Sequence, residues 1–570
     1  MLTGAGTGGK RRASLKLPVS EVTFSGRCYF YLSLALALFM IAFLPGVSSV
    51  HAKVFDSPPR PVEQKSQSPA ASQKSSVTFA PAVTYSSGGY YADSIAIADL
   101  NGDGIPDIVV ANTCHSGGAS SNCDAGGLVS VLLGNGDGTF QSAVGYAAGG
   151  VATSAVAIAD VNGDSYPDLV VASECDSTSQ CDVGNVSVLL GNGDGTFQEA
   201  VTYAAGYAPE SVAVGDLNGD GFPDLVVANQ DQCSTCDLGA VSVLLGNGDG
   251  TFQAPVSYAS GANNSDSITL ADLNGEGDLD VIVANQCRTA KNCSAGSVSV
   301  LAGNGNGTLQ PAVTYGSHGY SATYVTAADL NGDGILDLVV TNLCSNGNNC
   351  LVGSVAIFLG YGNGSFQSPV TYTTKGFGAS SAAVADILGI GVQDLIIDNL
   401  CENSNNCGVG QVAVLLGNGD GTFQSPATFN SGGDDATSVA VGDLTGNGRI
   451  DVVTANYCAA YGNCNGTVAV LLNDSTANVT TTLTSSPNPS VINQAVTFAA
   501  TLSSDPPVPD GETVTFYEGK TVLGAGTTAS GVATFTTSFA RARTYTIKSV
   551  YPGDSFHNPS DGTVKQVVNP

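Results

Sequence analysis

Ser211-Val212-Ala213-Val214-Gly215 runs into Asp216-Leu217-Asn218-Gly219-Asp220-Gly221-Phe222-Pro223-Asp224 and then into Leu225-Val226-Val227-Ala228-Asn229. Two strand-length apolar runs thus flank a loop of acidic and amide side chains. A cysteine-bearing loop follows, then Val241-Ser242-Val243-Leu244-Leu245, the turn Gly246-Asn247-Gly248-Asp249-Gly250, and a last run through Pro255-Val256-Ser257-Tyr258. The unit recurs, its first aspartate falling at 99, 160, 216, 272, 329, 386 and 443. Short runs rich in Val, Leu and Ala between Gly/Asn/Asp turns read as strands rather than helices. Four antiparallel strands per copy, seven times over, predict an all-β, seven-bladed β-propeller. A linear solenoid is the competing architecture, and the chain ends argue against it. The seventh copy stops at Leu471-Leu472-Asn473 without its final strand, and the missing pattern stands before the first copy as Phe79-Ala80-Pro81-Ala82-Val83-Thr84-Tyr85. An N-terminal strand that completes the last blade closes the array and removes a sheet edge.

The nine-residue loop has the oxygen spacing of a calcium site. Calcium takes six to eight oxygen ligands, and alternating Asp/Asn side chains can curl around it while a glycine permits the turn. An EF-hand would place a glutamate at the twelfth position, where this chain has Val110 and Val227, so the loop reads as a strand–loop–strand site. Side chains at the first, third, fifth and ninth positions and the carbonyl of the seventh give five candidate sets. They are Asp99, Asn101, Asp103, Ile105 and Asp107; Asp160, Asn162, Asp164, Tyr166 and Asp168; and Asp216, Asn218, Asp220, Phe222 and Asp224. The fourth is Asp272, Asn274, Glu276, Asp278 and Asp280, with a longer glutamate, and the fifth is Asp329, Asn331, Asp333, Ile335 and Asp337. The second carries Ser165 where the others have glycine. The sixth (Asp386, Leu388, Ile390, Asp394) has lost its middle ligands, and the seventh (Asp443, Thr445, Asn447, Asp451) has lost charge. Four to five Ca2+ sites are therefore expected. The Gly-Asn-Gly-Asp-Gly segments are read as hairpin turns needing positive φ rather than as further metal loops.

Composition supports an exported protein. Gly numbers 72, charged residues make up 12 %, and Trp is absent, which suits many short strands and tight turns. Lys10, Arg11, Arg12, Lys16 and Arg27 precede an apolar run, Tyr29 to Leu44, and small residues follow to Ala52, the pattern of a secretory signal. Residues 1–52 are assigned to that signal, or to an anchor if it stays uncleaved, and the Ser/Pro/Gln/Lys-rich residues 53–76 to a disordered linker. Removing residues 1–52, with five of the 18 basic residues and one of the 48 acidic ones, leaves 13 basic against 47 acidic. Such a body repels nucleic acid, and membrane contact is expected only through an uncleaved N-terminus. Fourteen cysteines form seven close pairs, Cys114/Cys123, Cys175/Cys181, Cys233/Cys236, Cys287/Cys293, Cys344/Cys350, Cys401/Cys407 and Cys458/Cys464. One pair per copy reads as local disulfides, since a four-cysteine zinc site needs two pairs brought together.

These residues resemble the FG-GAP (or VCBS) repeat proteins, best known from integrin α-subunit propellers, over residues 77–474. The resemblance implies a seven-bladed propeller with calcium in its hairpin loops. Residues 479–570, through Val514-Thr515-Phe516, Leu523-Gly524 and Tyr551-Pro552-Gly553-Asp554, resemble bacterial Ig-like repeat domains and imply a β-sandwich. Neither family implies a reaction.

In an up-and-down sheet the calcium loops and glycine turns share one end, and the cysteine loops share the other with the connections between blades. Those connections carry Tyr90, Tyr207, Tyr320 and Phe377, candidate contacts for an extracellular glycan or protein. A secreted or cell-surface recognition module is the favoured function, with calcium structural. The alternative is an extracellular polysaccharide lyase or hydrolase, because propellers host those too. His115, Glu210, Arg288, Lys291, His318, Lys375 and Glu402 break the repeat but are scattered among blades, and no catalytic residue is assigned.

Overall fold

A computed structural model describes residues 77–570 apart from 116–125, 177–182, 232–237, 290–294, 346–349, 404–406, 477–478, 505–506 and 555. The signal and linker assigned to residues 1–76 lie outside the described residues, as do Cys123, Cys181, Cys233, Cys236, Cys293 and Lys291. Among the described residues there are strands and turns but no helix.

The repeat folds as the alternation of runs and turns demands. In the fourth copy Asn263–Ala271, Asp280–Cys287, Ser297–Leu301 and Val313–Gly316 form one antiparallel sheet in sequence order. The fifth and sixth copies repeat it as separate four-stranded sheets. In the third, the strand Val201–Gly215 serves two ladders: Val201–Gly206 pairs backward with Gly184–Leu189, and Tyr207–Gly215 pairs forward with Asp224–Asp231. The strand Val83–Ala98 behaves in the same way across the largest sequence gap. Its Val83–Ser86 pairs with Val470–Thr467 of the seventh copy, and Tyr90–Ala98 pairs with Cys114–Asp107 of the first. The described residues thus hold seven four-stranded ladders, the last completed by the N-terminal strand.

Second strands are buried on both faces, which explains their continuous apolar runs. Adjacent residues of one strand point to opposite faces. Val109 and Ala111 therefore pack with Val156, Leu169 and Val171 of the second sheet, while Ile108 and Val110 pack with Val453, Ala455 and Val468 of the seventh. A shared apolar cluster of this kind joins every successive pair of sheets, and one joins the seventh to the first. Hydroxyls repeat the relation. Ser154 Oγ donates to Pro209 O (2.8 Å), Thr323 Oγ1 to Ala379 O (2.8 Å) and Ser380 Oγ to Ala436 O (2.8 Å), each in the following sheet. Thr437 Oγ1 of the seventh sheet donates to Ala92 O of the first at 2.9 Å.

Phe79 bridges Asn473, Ala80 N–H donates to Leu472 O at 2.9 Å, and the Phe79 ring meets Phe429 edge-on with centroids 4.9 Å apart. Deleting residues 79–85 from the full chain should therefore strip an outer strand and uncover the apolar face beneath it. We expect a loss of a few kcal/mol, about 3, from the partly buried Phe79 and Tyr85 rings and the lost ladder, measured by urea unfolding. A deletion of residues 53–76 is the control, and equal midpoints for the two deletions would refute the closing role of this strand.

The described C-terminal residues form eight strands between Thr480 and Asn569, hydrogen-bonded in one continuous order. Alternating residues such as Val496, Phe498 and Ala500, or Val514 and Phe516, bury one common core with Ile547 and Tyr551.

Candidate functional site

The loop between the first and second strands of each copy is built from its own side chains. Asp99 Oδ1 accepts the N–H of Gly102 (2.8 Å) and its Oδ2 that of Gly104 (2.8 Å); Asn101 Oδ1 accepts Asp103 N–H (2.9 Å), and Asp103 Oδ1 accepts Ile105 N–H (2.8 Å). The same bonds hold the loops of Asp216, Asn218 and Asp220 and of Asp329, Asn331 and Asp333. In the second loop Ser165 N–H reaches Asp160 Oδ2 at 2.8 Å although Ser165 adopts φ 71°, the left-handed conformation that Gly104, Gly221 and Gly334 adopt elsewhere. In the fourth, Asp272 keeps its bonds to Gly275 and Gly277, and Asn274 Nδ2 donates to Glu276 Oε1 at 3.0 Å.

The ninth residue does something the spacing alone did not reveal. Asp107 is fully buried; its Oδ2 accepts Leu100 N–H at 3.0 Å and its Oδ1 accepts Gly134 N–H at 2.8 Å. It therefore ties the acidic loop to the glycine turn of the same sheet. Asp168, Asp224, Asp280, Asp337, Asp394 and Asp451 make the same two backbone bonds. That role accounts for Asp394 in the sixth copy, where Leu388 and Ile390 replace the middle ligands.

Charge separates the loops. Burial pushes the carboxyls of Asp107, Asp168, Asp224, Asp280 and Asp337 up, against their two backbone bonds, and two acidic neighbours of the same loop push each further. Each of these loops carries at least three acidic side chains, a donor set that suits a divalent cation, which would relieve their repulsion. The residues of loops one to five fit such an ion by this test. The sixth does not. There burial drives Asp394 up to about 7, with Asp386 as its one acidic neighbour. In the seventh the Arg449 guanidinium opposes the upward push of burial and of Asp443 on Asp451.

The glycine turns behave as turns. Asp249 Oδ1 accepts both the backbone N–H (3.0 Å) and the hydroxyl (2.5 Å) of Thr251, which pulls its carboxyl pKa down. Gly248 has φ 78°, and a side chain there would collide with the Phe222 ring, so the seventh loop residue covers the turn.

At the other end Cys344–Cys350, Cys401–Cys407 and Cys458–Cys464 are disulfides, with Cα separations of 5.1, 4.6 and 3.8 Å. Cys114, Cys175 and Cys287 are also disulfide-bonded. The Asp435 carboxylate lies near Cys401 and Cys407, but a disulfide offers no thiolate, so this cluster is not a metal site. The four aromatics are half-buried. Tyr90, Tyr320 and Phe377 stand directly across the ladder from Cys114, Cys344 and Cys401, and Tyr207 stands across from Asp231. The equivalent positions hold Val151, Asn263 and Asp434, so this end differs from sheet to sheet. Sequence reasoning overlooked three further tyrosines. Tyr91 packs on Tyr457 at 4.6 Å and lies 6.4 Å from Tyr90, and Tyr461 is 80 % exposed in the seventh cysteine loop. The second tyrosine of the Tyr90-Tyr91 pair was the available signal. Of the residues that break the repeat, Glu210 accepts from Gln230 Nε2 at 2.9 Å and Lys375 Nζ donates to Pro426 O at 2.7 Å, both local structural bonds.

Comparison with known families matches this architecture. The FG-GAP-like repeat family matches residues 117–171, 176–227, 229–283, 289–340 and 400–454, and the FG-GAP repeat matches 91–126. The matches of the first pass over 341–399, which holds the sixth, altered loop. The bacterial Ig-like domain (group 3) matches residues 483–569. The chain therefore carries FG-GAP repeats followed by a bacterial Ig-like domain. Integrin alpha-V of Gallus gallus is 30 % identical over 148 residues, 24 % of this chain and 14 % of that protein. Among solved structures, extracellular domains of a one component system and of a hybrid two component system from B. thetaiotaomicron share 10 % identity with this chain. They cover 88 % and 87 % of it and 59 % of their own chains, with TM-scores of 0.38 and 0.37.

Proposed function

We propose that residues 77–474 close into a seven-bladed propeller that holds calcium in loops one to five and acts outside the cell as an integrin-like recognition or adhesion module. The apolar cluster between the seventh and first sheets, and the Thr437–Ala92 bond that matches those between neighbours, support the closed ring. FG-GAP repeats and the disulfides support an extracellular setting. The observation that carries the recognition reading is the contrast between the two ends. The acidic loops are near-copies, able to hold one ion repeatedly but poor at singling out a partner. The other end carries the disulfides beside side chains that differ from sheet to sheet. Tyrosines supply contact area at low ordering cost. The partner is a glycan or a protein, met at Tyr90, Tyr207, Tyr320 and Phe377.

A glycan array and a panel of whole cells, probed with the full chain, test this reading. Replacing the four aromatics by Ala should weaken any binding found at least tenfold while leaving the melting temperature nearly unchanged. Undiminished binding by the quadruple variant would place the working surface elsewhere.

A further inference from the structure

The seventh loop departs from the other six in what covers it. Arg449 stands at the position filled by Ile105, Tyr166, Phe222 and Ile335 in other copies, where the side chain covers the glycine turn of its own sheet. The seventh copy has no such turn, because its chain leaves through Asn473 toward the C-terminal domain. Arg449 Nη1 donates to Asn473 O at 3.2 Å, and the guanidinium lies 4.8 Å from the centroid of the Phe556 ring. Phe556 belongs to the Ig-like domain and also approaches Gly448. Its loop is held from below. Asp554 Oδ1 accepts the N–H groups of Phe556 and His557, both at 2.7 Å, and Asp554 Oδ2 accepts the Tyr551 hydroxyl at 2.8 Å. Thr476 Oγ1 donates to Asn558 Oδ1 at 2.9 Å beside it. The acidic set is also thinner, with Thr445 and Asn447 in place of Asn and Asp.

We propose that the seventh loop takes no calcium: Arg449 provides a fixed positive charge there, and the loop serves as the dock for the Ig-like domain. A guanidinium suits both tasks, because it stays charged at any working pH and stacks flat on an aromatic ring. Loops one to five would hold an exchangeable ion on the reading above, whereas this one carries a covalently attached cation that reaches across to the next domain. The joint should therefore hold at any calcium concentration, unlike loops that depend on the ion.

Two measurements on the full chain test this. In equilibrium dialysis with calcium alone, Asp443→Asn should leave the number of bound ions unchanged, and Arg449→Ile combined with Asn447→Asp should add one per chain. A count that falls by one in Asp443→Asn would overturn the proposal, even if the double variant fails to fold. A donor–acceptor dye pair on the repeats and the Ig-like domain should give one narrow distance distribution, the same in calcium and in chelator. Phe556→Ala should broaden it in both conditions. Arg449→Lys, which keeps charge without the flat stacking surface, should broaden it without adding an ion. A parent distribution that broadens only in chelator, or one unmoved by Phe556→Ala, would show that Arg449 and Phe556 do not form the joint.

Discussion

Excess chelator is expected to lower the thermal midpoint of the full chain by far more than any single substitution in the repeats. A ligand that binds only the folded state adds about 2.7 kcal/mol per site at a hundredfold excess over its Kd. Four or five such loops together come to on the order of 10 kcal/mol, a large share of the stability of any domain. Without the ion, the like charges of one loop raise the pKa of its buried aspartate with no cation to offset them. Two substitutions separate the ion from the backbone. Asp220→Asn removes charge from the third loop but can still accept Phe222 N–H. It should cost stability in calcium and almost none in chelator. Asp224→Ala removes the bonds to Leu217 and Gly246 and should cost stability in both. A scanning-calorimetry trace unmoved by chelator would end the calcium reading.

The second large effect is a pH dependence centred on Asp398. The equivalent residue is Ala111, Ala172, Ala228, Ala284, Thr341 or Ala455 in the other sheets. Asp398 is fully buried between the sixth and seventh sheets; its Oδ2 accepts the Thr454 hydroxyl at 2.6 Å, and its Oδ1 has no partner. Burial drives its pKa up to about 8, against the Thr454 bond. Below about pH 4 the group is protonated folded and unfolded, and it costs nothing. As pH rises the unfolded chain gives up the proton while the folded chain keeps it, so stability falls by about 1.4 kcal/mol per pH unit until the folded group ionises near pH 8. Asp398→Asn keeps an acceptor for Thr454 and has no proton to lose. Its advantage over the parent should be small at pH 4.5, grow through pH 7, and level off above pH 8. Urea unfolding of both proteins at four pH values measures this. A difference that stays flat with pH would show the carboxylate to be solvated.

Local chemistry was legible in the sequence because it repeats. Strand runs, cysteine spacing and acidic loops sit within a few residues of their partners, so the pattern of one copy could be checked against six others. Even the displaced first strand could be read, since Phe79-Ala80-Pro81-Ala82-Val83-Thr84-Tyr85 carries the same motif as Leu309-Gln310-Pro311-Ala312-Val313-Thr314-Tyr315. What escaped depends on which atom a side chain faces. Asp107 is an expected metal ligand by spacing, and spacing does not reveal that each of its oxygens also accepts a backbone N–H of its own sheet. Nothing in the spacing singles out Arg449, because Phe556 reaches it only in the folded chain. The Thr437–Ala92 bond joins residues 345 apart, and no local periodicity announces it.

The closing strand also sets a timetable for biosynthesis. Thr78 N–H donates to Ser475 Oγ across 397 residues, so this N-terminal segment must wait for the seventh copy to leave the ribosome before it can pair. The intervening sheets can form meanwhile, each against its predecessor, because their partners follow within one copy. Loop closure over such a span is slow, and an unpaired strand invites pairing with other chains. A chain cut short anywhere before the seventh copy would keep Val83–Ser86 unmatched, leaving an exposed edge by which quality-control proteases could distinguish it from a finished molecule.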